Sequence, residues 1–168
     1  MTDECALAVE ETGFRQMSFS KRAVFINGNQ PYNVDNYRTD ALHMKHPENY
    51  FNAGVLLLNL KKCRECFSFE ELISILHEKR YNYNDQDVLN IVLDGKVNLV
   101  DYEWNYQNNV DLFLMKRPQI YENIYGEVKR DSPQIIHFVS QNKPWNSEVT
   151  LGERYRYYEE CCNGRLHT

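Results

Sequence analysis

The sequence predicts an α/β domain, and three observations carry that reading. Phe51 to Leu60 is a nearly continuous apolar run once Asn52 is passed, the pattern of a strand buried on both faces. Two helical stretches follow it, an amphipathic one from Phe69 to Arg80 and another opening at Asp85. Lys96–Asp101 and Gln134–Val139 then return to strand character, so strands alternate with helices.

Taken in order, residues 4–10 (Glu-Cys-Ala-Leu-Ala-Val-Glu) are short, apolar and strand-like. A strand so placed needs neighbours on both sides to bury its faces. Residues 11–49 are polar and irregular, broken at Gly28-Asn29, Gln30-Pro31 and His46-Pro47, and read as a long functional loop or insertion. In the first helix Leu72, Ile73 and Leu76 share a face, and His77 reads as interfacial. Ser68 with Glu71 three residues on has the capping-box spacing. The second helix, Asp85 to Val92, starts with carboxylates that suit the positive end of its dipole. A terminal helix runs from Leu151 to Cys162, within a closing segment of 151–168. With no repeat, linker or low-complexity tract, residues 1–168 read as one domain.

Composition narrows the partners. At 168 residues and 42% hydrophobic content the chain can bury a core and is not a disordered segment. Its net charge of −5 argues against nucleic acid, which requires a basic surface. No apolar run approaches the roughly 20 residues that span a bilayer. Met-Thr-Asp-Glu does not open like a signal peptide. A cytoplasmic location is expected, with peripheral membrane attachment left open. The five cysteines form no disulfide-like framework and read as free thiols. A zinc site on Cys63, Cys66, Cys161 and Cys162 is the weaker alternative, because adjacent cysteines diverge on a helix.

Three polar clusters hold the chemistry. Asn52 stands at the start of an apolar strand, where its amide faces either a cleft or its own backbone; Gly54 permits close backbone approach. Asp85-Gln86-Asp87 sets two carboxylates and an amide at a helix start, where a purely structural role as cap and dipole partner also accounts for them. His137 sits in Ile-Ile-His-Phe, six residues before Lys143-Pro-Trp145. A lone strand histidine is usually a core residue. An imidazole with an ammonium nearby also suits a divalent metal and a diphosphate.

These segments resemble the second half of the family 8 retaining glycosyltransferases, the group of bacterial lipopolysaccharide galactosyltransferases and glycogenin. Tyr50-Phe-Asn-Ala-Gly-Val-Leu-Leu-Leu-Asn-Leu60, Asp85-Gln-Asp-Val-Leu-Asn90 and His137-Phe-Val-Ser-Gln-Asn-Lys-Pro-Trp145 carry the resemblance. It implies that Asn52 and Asp85 bind the donor sugar and that Gln86 is the catalytic-site amide beside the anomeric carbon. It implies His137 as metal ligand and Lys143 as diphosphate clamp, with Trp145 packing the loop. Asp87 reads as structural, and because this Asp-x-Asp opens a helix, neither Asp85 nor Asp87 is assigned to metal. Ser140 stands in the phosphate-binding loop where the family has glycine, and Cys63 where it has tryptophan. Glu10 is placed, more weakly, where a sugar-contacting Asp is found.

The fold implied is the C-terminal part of the GT-A nucleotide-diphospho-sugar transferase fold, a mixed sheet with flanking helices. The N-terminal Rossmann-like half and its metal-binding Asp-x-Asp are missing from these residues. On that basis the first strand is expected to lack its parallel neighbours. The function implied is retaining hexosyl transfer from a UDP-type sugar to a glycan or lipopolysaccharide-type acceptor. Manganese or magnesium is expected only when a complementing N-terminal polypeptide supplies the nucleotide-binding half, and the chain alone is expected to be inactive. A non-catalytic remnant that binds sugar or protein is the alternative.

Overall fold

The strand β1 (Ala6–Glu10) lies at the centre of a three-stranded mixed sheet, antiparallel to β4 (Phe51–Leu58) and parallel to β5 (Val97–Leu99). The computed structural model describes residues 3–26, 30–126 and 132–164. β1 is small and apolar, and Ala6, Ala8 and Val9 are buried. Its parallel partner corrects the expectation that this strand would lack one: Ala6 pairs with Val97 and Ala8 with Leu99. The alternation in Lys96–Asp101 supplies that neighbour from within the chain.

The open edge belongs to β4. Phe51 and Asn52 are buried, but Leu57 is 68% and Leu58 40% exposed. The strand is therefore not buried on both faces as its composition suggested, because among the described residues it has one sheet neighbour. Beneath the sheet, Phe51 packs with Cys5, Ala6, Ala8, Cys63, Val92, Leu93 and Val97.

Residues 11–49 are not a structureless loop. They form α1 (Gly13–Phe19), the antiparallel pair β2 (Ala23–Ile26) and β3 (Gln30–Asn33), and α2 (Val34–Asn36). A π-helical turn over Tyr37–Ala41 and a 3-10 turn over Pro47–Asn49 complete the segment. The Gly28-Asn29 breaker lies outside the described residues. The segment folds because its Phe14, Val24, Val34, Tyr37, Leu42 and Met44, at no simple period, form a second core with Tyr50, Tyr81 and Val88. Phe14 stands edge-on to Tyr50 and Tyr83, with ring centroids 4.7 and 5.6 Å apart.

After β4 come α3 (Leu60–Cys66), α4 (Phe69–Glu78) and α5 (Asp85–Val92). The Ser68 hydroxyl caps α4 by accepting from the Glu71 N–H at 3.1 Å, as the capping pattern predicts. The helix stops two residues short of Arg80. It packs through Leu72 and Ile75, while Leu76 is 42% exposed and His77 is exposed rather than interfacial.

A 3-10 turn (Tyr102–Asn105) leads into the short strand β6 (Tyr106–Gln107), then α6 (Asn109–Lys116) and α7 (Pro118–Tyr125) around a third core. The predicted strand over 134–139 shrinks to β7 (Ile136–His137), parallel to β6 and pairing Gln107 with His137. The terminal helix α8 spans Gly152–Cys162, and residues 165–168 lie outside the described set. No helix among the described residues is long and apolar enough to cross a membrane.

Candidate active site

An irregularity in the main sheet creates the site. Across the step from Ala8 to Val9 in β1, the partner in β4 jumps from Leu56 to Asn52. Ala53, Gly54 and Val55 thus have no opposite residue in β1, and their backbone groups are open to side chains. The N–H of Ala53 donates to Gln86 Oε1 at 3.0 Å, and the N–H of Gly54 donates to Asn52 Oδ1 at 3.0 Å. Next to them, Asn90 accepts from the Phe51 N–H and donates to the Phe51 carbonyl, both at 2.9 Å, fastening α5 to the strand.

Backbone donors demand oxygen, so these bonds orient both amides. With their oxygens committed, Asn52 Nδ2 and Gln86 Nε2 donate to Glu11 Oε2 at 2.7 and 3.2 Å. Asn52 Oδ1 also accepts from Asn105 Nδ2 at 3.0 Å, which leaves Asn105 Oδ1 facing His137 Nδ1 at 3.1 Å. An amide oxygen can only accept, so Nδ1 of His137 carries the proton and Nε2 presents its lone pair. Burial, and secondarily the Lys143 charge, hold His137 below its ordinary pKa and keep the ring neutral. Gly54 makes room for it: a Cβ there would lie 2.0 Å from His137 Cε1.

Glu11 itself is held from both sides. Gln107 donates to the Glu10 carbonyl at 2.8 Å and accepts from the Thr12 N–H at 3.1 Å, while the Gly13 N–H donates to Glu11 Oε1 at 2.8 Å. β6 thereby fixes the end of β1 and places the residue after it.

The predicted site residues divide. Asn52, Gln86 and His137 are joined through Glu11 and Asn105, two residues the sequence reading did not select. Neighbouring strand residues point to opposite faces, and the tandem Glu10-Glu11 gave no sign which would face Asn52. Glu10, which the resemblance sets where a sugar-contacting Asp is found, does not join this hydrogen-bonded cluster. Glu10 turns away into an ion pair with Arg15 at 2.7 Å and a short hydrogen bond from the Tyr102 hydroxyl. It lines a separate cleft of about 480 Å³ with Phe14, Asp35 and Arg38. Asp85 is exposed on the first turn of α5.

Asp87 is structural, as read. It is fully buried and accepts from the Tyr37 and Tyr50 hydroxyls at 2.6 Å each and from the Tyr83 N–H at 2.8 Å. Burial raises its pKa against the opposing pull of those donors. Lys143 lies close enough to His137 to depress its pKa, and its ammonium donates to the Phe138 carbonyl. Ser140 adopts a left-handed backbone with φ +74°. Trp145 is 63% exposed, with its ring 5.8 Å from that of Tyr155.

As a metal centre the arrangement is incomplete. Among the described residues no three His, Cys, Asp or Glu side chains come together in a metal-holding group. His137 Nε2 is one suitable donor, and a firmly held divalent ion needs several.

Residues 1–149 match the family described as Glycosyl transferase family 8. The chain belongs to that family. It is 34% identical over 112 residues to the lipopolysaccharide 1,2-glucosyltransferase of Escherichia coli (strain K12), covering 66% of this chain and 32% of the relative. It is 26% identical over 125 residues to general stress protein A of Bacillus subtilis (strain 168), covering 72% of this chain and 44% of the relative. Among solved structures, the apo form of the bifunctional glycosyltransferase WbbM superposes with a TM-score of 0.77 at 25% identity, over 99% of this chain and 31% of that one. The galactosyltransferase LgtC in complex with donor and acceptor sugar analogues gives 0.67 at 24% identity, over 99% of this chain and 54% of that one. The fold of this family 8 chain is accordingly part of the GT-A glycosyltransferase fold. The chain spans a third to a half of the length of these relatives.

Proposed function

We propose that this chain forms the sugar-handling portion of a retaining hexosyltransferase that uses a nucleotide sugar, UDP-linked in the first instance, and a glycan or lipopolysaccharide-type acceptor. The observation that carries the reading is the convergence of Asn52, Gln86, Glu11, Asn105 and His137 on a sheet irregularity, within a family 8 fold. An array of oriented amides and one carboxylate suits the hydroxyls of a hexose better than it suits an apolar or cationic ligand.

In this proposal Asn52 and Asp85 hold the donor sugar and Gln86 presents its amide at the reacting face. Glu11 orients Asn52 and Gln86 together. Lys143, released from the Phe138 carbonyl, places its ammonium against the departing diphosphate, and electrostatic stabilisation of that leaving group lowers the barrier. Ser140 lies in the same loop and approaches the phosphates through its backbone. The leaving phosphate oxygen takes the acceptor proton, so no strong protein base is needed.

A bound manganese or magnesium ion would supply further Lewis-acid stabilisation of the diphosphate. His137 would fill one coordination position, and the remaining ligands must come from outside the described residues. The open edge of β4, with Leu57 and Leu58 exposed, is where a further strand can pair, from this polypeptide or a complementing one. The alternative reading is a sugar- or protein-binding remnant without catalysis, in which His137 stands without other metal-ligating side chains among the described residues.

Calorimetric titration with UDP and manganese, beside His137→Ala, tests the proposal. Manganese-dependent binding lost in the variant supports a nucleotide-sugar site. A folded chain that binds a hexose but no UDP with manganese supports the remnant.

A further inference from the structure

Away from the transfer site, three thiols meet where β1 begins. Cys5, immediately before β1, has its sulfur 2.9 Å from that of Cys66 at the end of α3. Cys63, one turn earlier on α3, donates its thiol to the Cys5 carbonyl at 3.4 Å, directed at backbone. Cys5 is 1% exposed and clamped by its main chain, donating to the Lys96 carbonyl and accepting from the Asn59 N–H, both at 2.8 Å. Cys66 is partly exposed. One thiol is thus reachable from solvent while the second waits behind it, already in near contact.

We propose that Cys5 and Cys66 form a reversible disulfide that fastens β1 to α3, with Cys66 as the attacking thiol and Cys5 as the resolving one. A disulfide oxidant such as oxidised glutathione supplies the chemistry. The Cys66 thiolate attacks one glutathione sulfur, giving a mixed disulfide and releasing a glutathione thiolate. Cys5 then attacks Cys66 Sγ, the Cys66–glutathione bond breaks, and a second glutathione leaves. Two electrons pass to the oxidant, and the two cysteine protons end on the released thiols or in solvent. The sulfurs need approach by only about 1 Å to reach bonding distance.

Burial, then the bond to Cys66, pushes the Cys5 thiol up to about 12. The part of that rise due to the Cys66 thiol is gone once Cys66 is bonded to glutathione; burial remains, so the resolving step speeds with rising pH, because the thiolate is the nucleophile. The bond would tie the start of β1 to α3, at the strand end remote from Glu11 and Asn52. Its expected effect is on stability and not on the site.

The test uses the full chain carrying Cys161→Ser and Cys162→Ser, incubated with oxidised glutathione, alkylated, and mapped by mass spectrometry without reduction. The expected result is loss of two hydrogens, a linked peptide pair holding Cys5 and Cys66, and a thermal midpoint raised by roughly 5–15 °C. Dithiothreitol should reverse all three. Adding Cys66→Ser should abolish the link, and Cys63→Ser should leave it. Because Cys5→Ser risks the fold, Cys66→Ser is the decisive variant. A stable glutathione adduct on Cys66, a Cys63–Cys66 link, or no oxidation would each overturn the proposal.

Discussion

Asn105 Oδ1 lies 3.1 Å from His137 Nδ1, and the direction of that bond is dictated from the backbone. The Gly54 N–H fixes Asn52, Asn52 fixes Asn105, and Asn105 fixes the imidazole tautomer. A side chain on a two-residue strand is thereby oriented by an amide on a different element.

His137 should titrate below the ordinary histidine value of about 6.5 and, when neutral, should carry its proton on Nδ1. Nitrogen-15 NMR of the imidazole reads both. Burial is the larger cause, so Lys143→Met should raise the midpoint only part of the way. Asn105→Ala should release the tautomer and destabilise the fold by about 1–2 kcal/mol, through lost bonds to Asn52 and His137. An unchanged tautomer in that variant would refute the relay.

Glu10 and Asp87 should give opposite pH dependence. Burial penalises the Glu10 charge, yet the hydrogen bonds from Arg15 and Tyr102 bring its pKa below the ordinary value. Its stabilising contribution is present above the unfolded carboxylate pKa and is lost as pH falls through the lowered folded value. Glu10→Gln should therefore cost about 1 kcal/mol at pH 7 and progressively less in that acid window. Asp87 has a raised pKa, so its folded form binds a proton more readily than the unfolded chain does. Stability falls as pH rises from the ordinary Asp value of about 3.9 through the raised one, and Asp87→Asn should remove that fall. Urea denaturation across pH 3 to 7 checks both signs.

Deleting the Asp87 carboxylate should cost far more than neutralising it. Asp87→Ala strands the Tyr37 and Tyr50 hydroxyls and the Tyr83 N–H in a buried core. Each orphaned group costs about 1–3 kcal/mol, so a total loss of about 3–5 kcal/mol is expected in urea unfolding. Tyr37→Phe, which removes one donor, should lose about 1 kcal/mol.

β4, α4 and α5 were legible because each carries a local signal: the apolar run, the capped start and the acidic start; α3, α6 and α7 were not read from the sequence. Residues 11–49 were not, since their order depends on contacts between Phe14, Tyr37, Tyr50 and Tyr83, which are far apart in sequence. In the site, motif residues Asn52, Gln86 and His137 stood out. Asn105 did not, because an Asn in Glu-Trp-Asn-Tyr has no pattern that separates a relay from a turn. Glu11 was hidden by Glu10, since strand parity could not be set until the β1–β4 register was known.

Two positions around His137 make demands on the backbone, and they should respond oppositely to substitution. At Gly54 the space is taken by the imidazole, so Gly54→Ala must displace the His137 ring or the strand. A loss of about 2 kcal/mol or more is expected, with a shifted His137 imidazole signal. At Ser140 the conflict lies in the residue's own backbone: φ is +74°, where a Cβ meets the following carbonyl. Ser140→Gly removes that strain, at the cost of a more flexible unfolded chain. A net gain of about 0.5–1 kcal/mol follows, with the His137 titration unchanged because Ser140 makes no bond to the ring. Paired urea titrations and imidazole NMR on the two variants separate the cases. If Ser140→Gly lost stability, the left-handed turn would be held by the serine hydroxyl, and the strain argument for this loop would fail.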